Sequence, residues 1–117
     1  MRWLFLLQQT PYRNSLAREA LDMALACAAF EQTVQIIFLD DGVYQLLAQQ
    51  NTGHMQQKNI AKTLAALAIY DISAVYVARS SLLARGLENQ PLCIDYQAVD
   101  DKAIKALIAD ADHVMSF

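Results

Sequence analysis

The sequence predicts an α/β fold, with one domain over residues 1–117 built as a three-layer sandwich around a five-stranded, mainly parallel sheet. Two observations support this prediction. Short apolar runs alternate along the chain with segments of helical periodicity, which is the order that right-handed crossovers between parallel strands produce. Hydrophobic residues make up 56% of the 117 residues. A sheet covered by helices on both faces needs many apolar side chains, and so does a surface that another subunit covers.

Five apolar runs are predicted to be the strands, and the first is apolar throughout, as a strand buried on both faces should be. The runs are Trp3–Leu7, Val34–Leu39, Ala74–Ala78, Leu92–Ile94 and His113–Phe117. In a flavodoxin-like arrangement, the residues that follow the strands share the sheet edge where ligands bind. Those residues are Gln8-Gln9-Thr10, Asp40-Asp41, Arg79-Ser80-Ser81 and Asp95-Tyr96.

The segments between the strands are predicted to be helical, apart from a polar surface loop at Ala48–Lys58. The first helix starts at a cap, Asn14 or Ser15, and ends near Phe30. Its predicted buried stripe comprises Leu16, Ala20, Met23, Cys27 and Phe30. After it come a helical turn at Val43–Leu47 and a helix with Ile60, Leu64 and Leu67 that ends near Tyr70-Asp71. A short helix with Leu82 and Leu83 is closed by Arg85-Gly86. The last helix starts at Asp100 or Asp101 and is predicted to bury Ile104, Leu107 and Ile108.

Composition excludes several classes of protein. No apolar run approaches the ~18 residues that cross a bilayer, so no membrane association is expected. The apolar start, Met1–Leu7, is too short for a signal peptide and lacks a small-residue cleavage site, so a cytoplasmic protein is expected. The net charge of −3 lacks the basic character of a nucleic-acid-binding surface, so no direct nucleic-acid binding is expected.

Motifs for common chemistries are missing from the sequence. The pair Asp40-Asp41 could suggest a phospho-acceptor or a magnesium site, but magnesium usually needs further oxygen ligands. We therefore interpret Asp40-Asp41-Gly42 as a strand-to-helix turn in which one aspartate caps the turn. Phosphate-binding glycine motifs and a GxSxG elbow are absent. Ser80 and Ser81 have no histidine placed to activate them, and His54 and His113 are assigned structural positions. The sequence predicts no cofactor and no metal.

Two cysteines, Cys27 and Cys93, are predicted to be free buried thiols rather than a disulfide or a metal pair. Cys27 falls on the apolar stripe of the first helix, where burial would raise its pKa and make it a poor nucleophile. Cys93 lies in the middle of a predicted strand, and a reactive role for it stays open.

Several stretches in this order resemble the DsrE/DsrF/DsrH superfamily, and specifically its TusC/DsrF branch, over nearly the whole chain. Besides the apolar first strand and the short last one, they are Arg18–Asp22, Ile37–Leu47, Leu67–Ile72 and Ser81–Leu87. The resemblance implies one subunit of a heterohexameric sulfur-relay complex with TusB/DsrH-like and TusD/DsrE-like partners. Such a complex takes persulfide sulfur from small carrier proteins and passes it towards 2-thiouridine at the tRNA wobble position. In the DsrF-like alternative, it serves dissimilatory sulfur oxidation.

The resemblance also locates the position that matters for catalysis. In the TusD/DsrE partner, the acting cysteine ends the strand before the Arg-Gly-closed helix, and the matching residue here is Ala78. Alanine cannot supply the thiolate that persulfide exchange requires. The resemblance therefore implies no catalytic residue in this chain, which is expected to act as a structural subunit of a sulfurtransferase complex. Two alternatives stay open: that Cys93 or Cys27 accepts sulfur, and that the chain is a stand-alone ligand-binding module.

Overall fold

The computed structural model describes residues 1–9, 16–47, 64–67, 69–72, 74–92 and 94–117. Five strands in these ranges form one sheet, and every pairing between neighbouring strands is parallel. The strands are β1 (Arg2–Leu7), β2 (Thr33–Phe38), β3 (Ala74–Ala78), β4 (Gln97–Val99) and β5 (His113–Ser116). The predicted fold class, a parallel five-stranded sheet packed against helices, is confirmed.

Helices connect the strands. They are α1 (Leu16–Ala29), a 3-10 helix (Asp40–Leu46), α2 (Arg79–Ala84) and α3 (Asp101–Asp110), and residues 64–67 are also helical. The predicted caps Asn14 and Ser15, the predicted loop Ala48–Lys58 and Ile60 lie outside the described residues. None of the helices in the described ranges is long and apolar enough to cross a membrane.

Side chains of β1 alternate between two layers of core. Phe5 and Leu7 belong to the large apolar cluster that includes buried residues of α1, whereas Leu4 and Leu6 face the smaller cluster beneath α3. All four are buried, and burying each such side chain stabilises the fold by roughly 1.5–3 kcal/mol. This two-sided burial explains why β1 is continuously apolar.

The strand order is β4-β3-β2-β1-β5. Flavodoxin itself has the order 2-1-3-4-5, so the two share an architecture but not a connectivity. Here the first four strands add in sequence along the sheet, and β5 returns to pair with the other side of β1. Since right-handed crossovers in opposite directions lie on opposite faces, α3 is the helix that covers the second face.

The fourth strand lies further along the chain than predicted. The apolar run Leu92–Ile94 was predicted as a strand, but β4 is formed by Gln97–Val99. Leu92 instead forms an isolated antiparallel bridge with Leu47. An edge strand needs only one apolar face, so β4 has a weaker sequence signal than the run before it. As a result, Asp95 and Tyr96 precede β4 and lie at the amino edge of the sheet, not at the carboxyl edge.

The buried stripe of α1 is also displaced from its predicted position. Ala20 is fully buried as predicted, and so are Leu21 and Ala24, whereas Met23 is 40% exposed and Phe30 is 79% exposed. Two of the buried residues are alanines, which allow the helix backbone to approach the sheet closely, so the larger side chains turn outward. Cys27 is half-buried beside the core.

The last helix starts as predicted. The Asp100 carboxylate accepts a hydrogen bond from the Ala103 backbone N–H at 2.8 Å, which satisfies one of the amide groups left unpaired in the first turn. Ile104 and Leu107 pack against the smaller core cluster. Ile108 was predicted to be buried but is exposed, because it lies on the flank of the helix.

Candidate functional site

The carboxyl ends of β1, β2 and β3 meet at one edge of the sheet, as the sequence predicted for three of its four polar groups. Gln8 follows β1, Asp40 follows β2 and Arg79 follows β3. Thr10 lies outside the described residues. Parallel pairing of the three strands places these turns side by side.

Ala78 is the last residue of β3 and the N-cap residue of α2. Its backbone is extended, with φ −66° and ψ 117°, and the chain enters the helix directly after it. The residue is only 2% exposed. A methyl group at this position has no lone pair, so the strand tip itself carries no nucleophile.

Ser81 holds the tip of β2 in place. Its hydroxyl oxygen accepts a hydrogen bond from the backbone N–H of Asp40 at 2.8 Å, and the side chain is buried. Asp40 has a φ of 51°, a left-handed conformation that is uncommon for a residue with a side chain. The predicted turn is confirmed, but the predicted aspartate cap is wrong. The N-cap position of the 3-10 helix is Leu39, and no side chain caps it.

Arg85 and Asp41 form an ion pair across this edge. The Arg85 Nη2 and Nε atoms lie 3.0 and 3.2 Å from Asp41 Oδ1. A third nitrogen, Nη1, donates to the carbonyl oxygen of Ser81 at 3.3 Å, and the guanidinium lies 6.0 Å from the centre of the Tyr44 ring. One carboxylate of the predicted pair is thus bound to an arginine, which argues against the pair as a divalent-cation site.

The turns after β1 and β2 are packed closely together. The Leu39 backbone N–H donates to the Leu7 carbonyl at 3.1 Å, and Gln45 Nε2 donates to the Gln9 carbonyl at 2.9 Å. Gly42 lies directly against Leu7, so a Cβ at residue 42 would overlap the Leu7 carbonyl oxygen. The two turns are thus held together by hydrogen bonds and close packing within this chain.

The remaining candidate residues lie away from Ala78 or outside the description. Cys27 is on the last turns of α1, near the amino edge of the sheet, and its burial raises the pKa of the thiol. His113 stacks on Trp3 with ring centres 4.3 Å apart, and its Nε2 lies 3.2 Å from Met1 Sδ, so it has the structural surroundings that the sequence predicted. Ser80 is exposed beside Ala78. Cys93 and His54 lie outside the described residues.

Sequence analysis missed the pairing of Arg85 with Asp41. The two residues are 44 positions apart, and no local pattern joins them. The available signal was that Asp41 follows the end of β2 and that Arg85 closes the short helix after β3, because the carboxyl ends of parallel strands meet at one edge of the sheet.

The chain is similar to known proteins over nearly its whole length. The model of the DsrE/DsrF-like family matches residues 1–117. A protein named TusC homolog from Pseudomonas aeruginosa is 39% identical over 113 residues, covering 97% of this chain and 95% of the relative. The intracellular sulfur oxidation protein DsrF from Allochromatium vinosum is 35% identical over 130 residues, covering 99% of this chain and 96% of that protein. The crystal structure of the YchN protein from E. coli has the same fold, with a TM-score of 0.87, 20% identity and coverage of 100% and 99%. The resemblance found in the sequence is confirmed.

Proposed function

Because this chain belongs to the DsrE/DsrF-like family, we propose that it is a non-catalytic subunit of a sulfur-relay complex. The observation that carries the proposal is the residue at the end of β3. A relay protein needs a thiol where sulfur arrives, and position 78 is a buried alanine.

Persulfide transfer defines what the chain lacks. An acceptor thiolate attacks the terminal sulfur of the donor's persulfide, the donor's sulfur–sulfur bond breaks, and the electron pair leaves on the donor cysteine as a thiolate. One sulfur atom moves, and no oxidant is consumed. Ala78 cannot attack, and the half-buried Cys27 has a raised pKa that keeps it protonated at neutral pH.

The proposed complex is a heterohexamer in the cytoplasm that contains TusB/DsrH-like and TusD/DsrE-like subunits, with the reactive cysteine on the TusD/DsrE-like subunit. Similarity over 97% of the chain to a TusC homolog supports this composition. Exposed large apolar residues such as Phe30, Ile69 and Leu83 also support assembly, since apolar surface of this kind often marks protein contacts. Sulfur-carrier proteins would then bind to the complex, and this chain would not bind tRNA directly.

We propose 2-thiouridine formation at the tRNA wobble position as the destination of the sulfur. The 39% identity to a TusC homolog supports this choice. The second candidate is intracellular sulfur oxidation, because a protein named for that process is 35% identical over nearly the same length. Deleting the gene separates them: loss of 2-thiouridine from tRNA supports the first destination, and intact tRNA with impaired sulfur oxidation supports the second.

A loading experiment tests the absence of catalysis. The purified chain is incubated with a persulfide-charged donor protein, and its mass is measured without reduction, alongside the variants Cys27→Ala and Cys93→Ala. We expect no added sulfur on any of the three. A sulfur adduct on the chain that disappears in one of the variants would identify an acceptor here and overturn the proposal.

A second experiment tests assembly. The chain is co-expressed with its two homologues, one of which carries a cysteine at the matching strand tip. We expect the three to co-purify and the sulfur to load only on that cysteine. A monomer that binds neither homologue and retains a small molecule would instead support a stand-alone ligand-binding module.

A further inference from the structure

The amino edge of the sheet carries two adjoining clefts. One has a volume of about 370 Å³ and lies between the start of β2 and residues 70–72. The other has a volume of about 240 Å³ and lies between the starts of β3 and β4. Ala74, the first residue of β3, lines both. The two clefts together, called here the amino-edge groove, therefore run across the starts of three neighbouring strands.

Carboxylates and tyrosines line the amino-edge groove. Glu31 and Asp71 are in the larger cleft and Asp95 is in the smaller, and all three are exposed. Tyr70 belongs to the larger cleft and Tyr96 to the smaller, and both rings are partly exposed. Among the described residues that line the groove, none is a lysine or an arginine.

Two exposed apolar residues are sequence neighbours of residues that line the groove. Phe30 precedes Glu31, Ile69 precedes Tyr70, and each of the two apolar side chains is 79% exposed. A surface that combines exposed carboxylates with exposed aromatic and aliphatic groups is complementary to cationic side chains on apolar stems. Tyrosine faces add cation–π attraction for lysine or arginine.

We propose that the amino-edge groove docks an extended segment of another protein that carries lysine or arginine side chains. Neighbouring strands are about 4.8 Å apart, so the groove spans roughly 10 Å from β2 to β4. An extended chain advances about 3.3 Å per residue, so about three residues cross it. The fitting segment has two basic residues separated by one or two positions, with an apolar residue between them or beside them.

The groove is separate from the edge where a relay cysteine would act. Ala74 and Ala78 are the first and last residues of β3, about 13 Å apart at the rise of a strand. A segment bound at one end therefore leaves the other end open. The inference goes beyond the proposed sulfur relay, since it rests on the charge and shape of this chain alone.

Fluorescence anisotropy tests the proposal with a labelled peptide of alternating arginine and leucine, compared with one of alternating glutamate and leucine. We expect the basic peptide to bind the full chain more tightly than the acidic peptide does. Its affinity should fall as the salt concentration is raised. The variant Asp71→Asn/Asp95→Asn should bind about tenfold more weakly, because two of the three carboxylates in the groove lose their charge. Asparagine also tolerates the left-handed backbone of residue 71, so the fold is preserved.

Glu88→Gln is the matched control, since Glu88 is an exposed carboxylate outside the two clefts. We expect its affinity to stay within about twofold of the unmodified chain. The proposal is overturned if the basic peptide fails to bind at about 1 mM, or if the double variant binds as well as the control. It is also overturned if concentrated chain self-associates through cross-links that map to the groove, which would make the groove an interface between copies.

Discussion

Arg85 and Asp41 connect α2 to the 3-10 helix through two N–H groups that point at a single carboxylate oxygen, at 3.0 and 3.2 Å. Asp41 is 51% exposed, so water and salt screen the pair. Its contribution is geometric as well as electrostatic, because the same guanidinium also donates to the Ser81 carbonyl.

Replacing Arg85 by lysine should lower the free energy of unfolding by about 0.5–1 kcal/mol, since an ammonium cannot reproduce the three directed bonds. Urea unfolding measures the change. Arg79→Lys, at an exposed position of the same helix, is the control and should have little effect. Adding Asp41→Asn to Arg85→Lys should cost less than the sum of the two single changes. Strict additivity would show that the pair does not interact.

Gly42→Ala should be among the most damaging single-methyl changes in the chain. The added Cβ would overlap the Leu7 carbonyl oxygen, and backbone of a central strand cannot move away cheaply. We expect a loss of about 3 kcal/mol, seen as a lower urea midpoint and a lower melting temperature. An unchanged melting temperature would mean that the two turns are not packed as closely as described.

Gly86, unlike Gly42, has open space where a Cβ would be placed. Its φ is 66° and a Cβ there would meet nothing within 4 Å, so substitution has only a conformational cost. Its N–H and that of Leu87 donate to the Leu83 and Leu82 carbonyls, which closes α2 as a Schellman motif. Gly86→Ala should cost about 1 kcal/mol, and Gly86→Asn should cost less. Equal costs for both would contradict a left-handed cap.

Glu31 and Asp71 occupy positions that favour glycine, with φ values of 63° and 61°. Glu31→Gly or Asp71→Gly should therefore raise the free energy of unfolding by about 0.5–1 kcal/mol. Ala26→Gly, within α1, is the control and should lower it by about 1 kcal/mol. If the acidic side chains are retained for docking, the stabilised variants should bind the basic peptide less well. Tighter binding by these variants would contradict the proposed groove.

Cys27 should make stability sensitive to alkaline pH. Burial raises the pKa of its thiol, so the unfolded chain loses this proton at a lower pH than the folded chain does. The stabilising contribution is complete below the thiol's pKa in the unfolded chain and is lost as pH rises through its pKa in the folded chain. Cys27→Ala should therefore show a shallower fall in the free energy of unfolding above about pH 9. Parallel curves for both proteins would rule out the thiol as the cause.

Most of the framework could be predicted from local sequence. β1, β2, β3 and β5 lie within one residue of their predicted bounds at each end because each is an apolar run bounded by polar residues. Asp100 predicts the start of α3, because a carboxylate just before an amphipathic segment is a strong N-cap. These signals are local, and a single sequence contains them fully.

The errors arose where neighbours decide the structure. Phe30 and Met23 have the spacing of a buried stripe, but alanines at 20 and 24 take the sheet-facing side. Leu92 looked like part of a strand because it is apolar, yet its partner is Leu47 in a different loop. At the site, the family resemblance locates Ala78, whereas the ion pair between Arg85 and Asp41 can be seen only in the folded structure.

The position of β1 has a consequence for how the protein emerges from the ribosome. β1 lies between β2 and β5, and the Arg2 backbone N–H donates to an Asp112 carboxylate 110 residues away. The first strand is therefore made long before its second neighbour and before α3, which shields Leu4 and Leu6. During synthesis, one side and one face of this apolar strand stay uncovered until α3 and β5 have been made. A nascent chain stalled before residue 100 should thus bind chaperones that recognise exposed apolar segments.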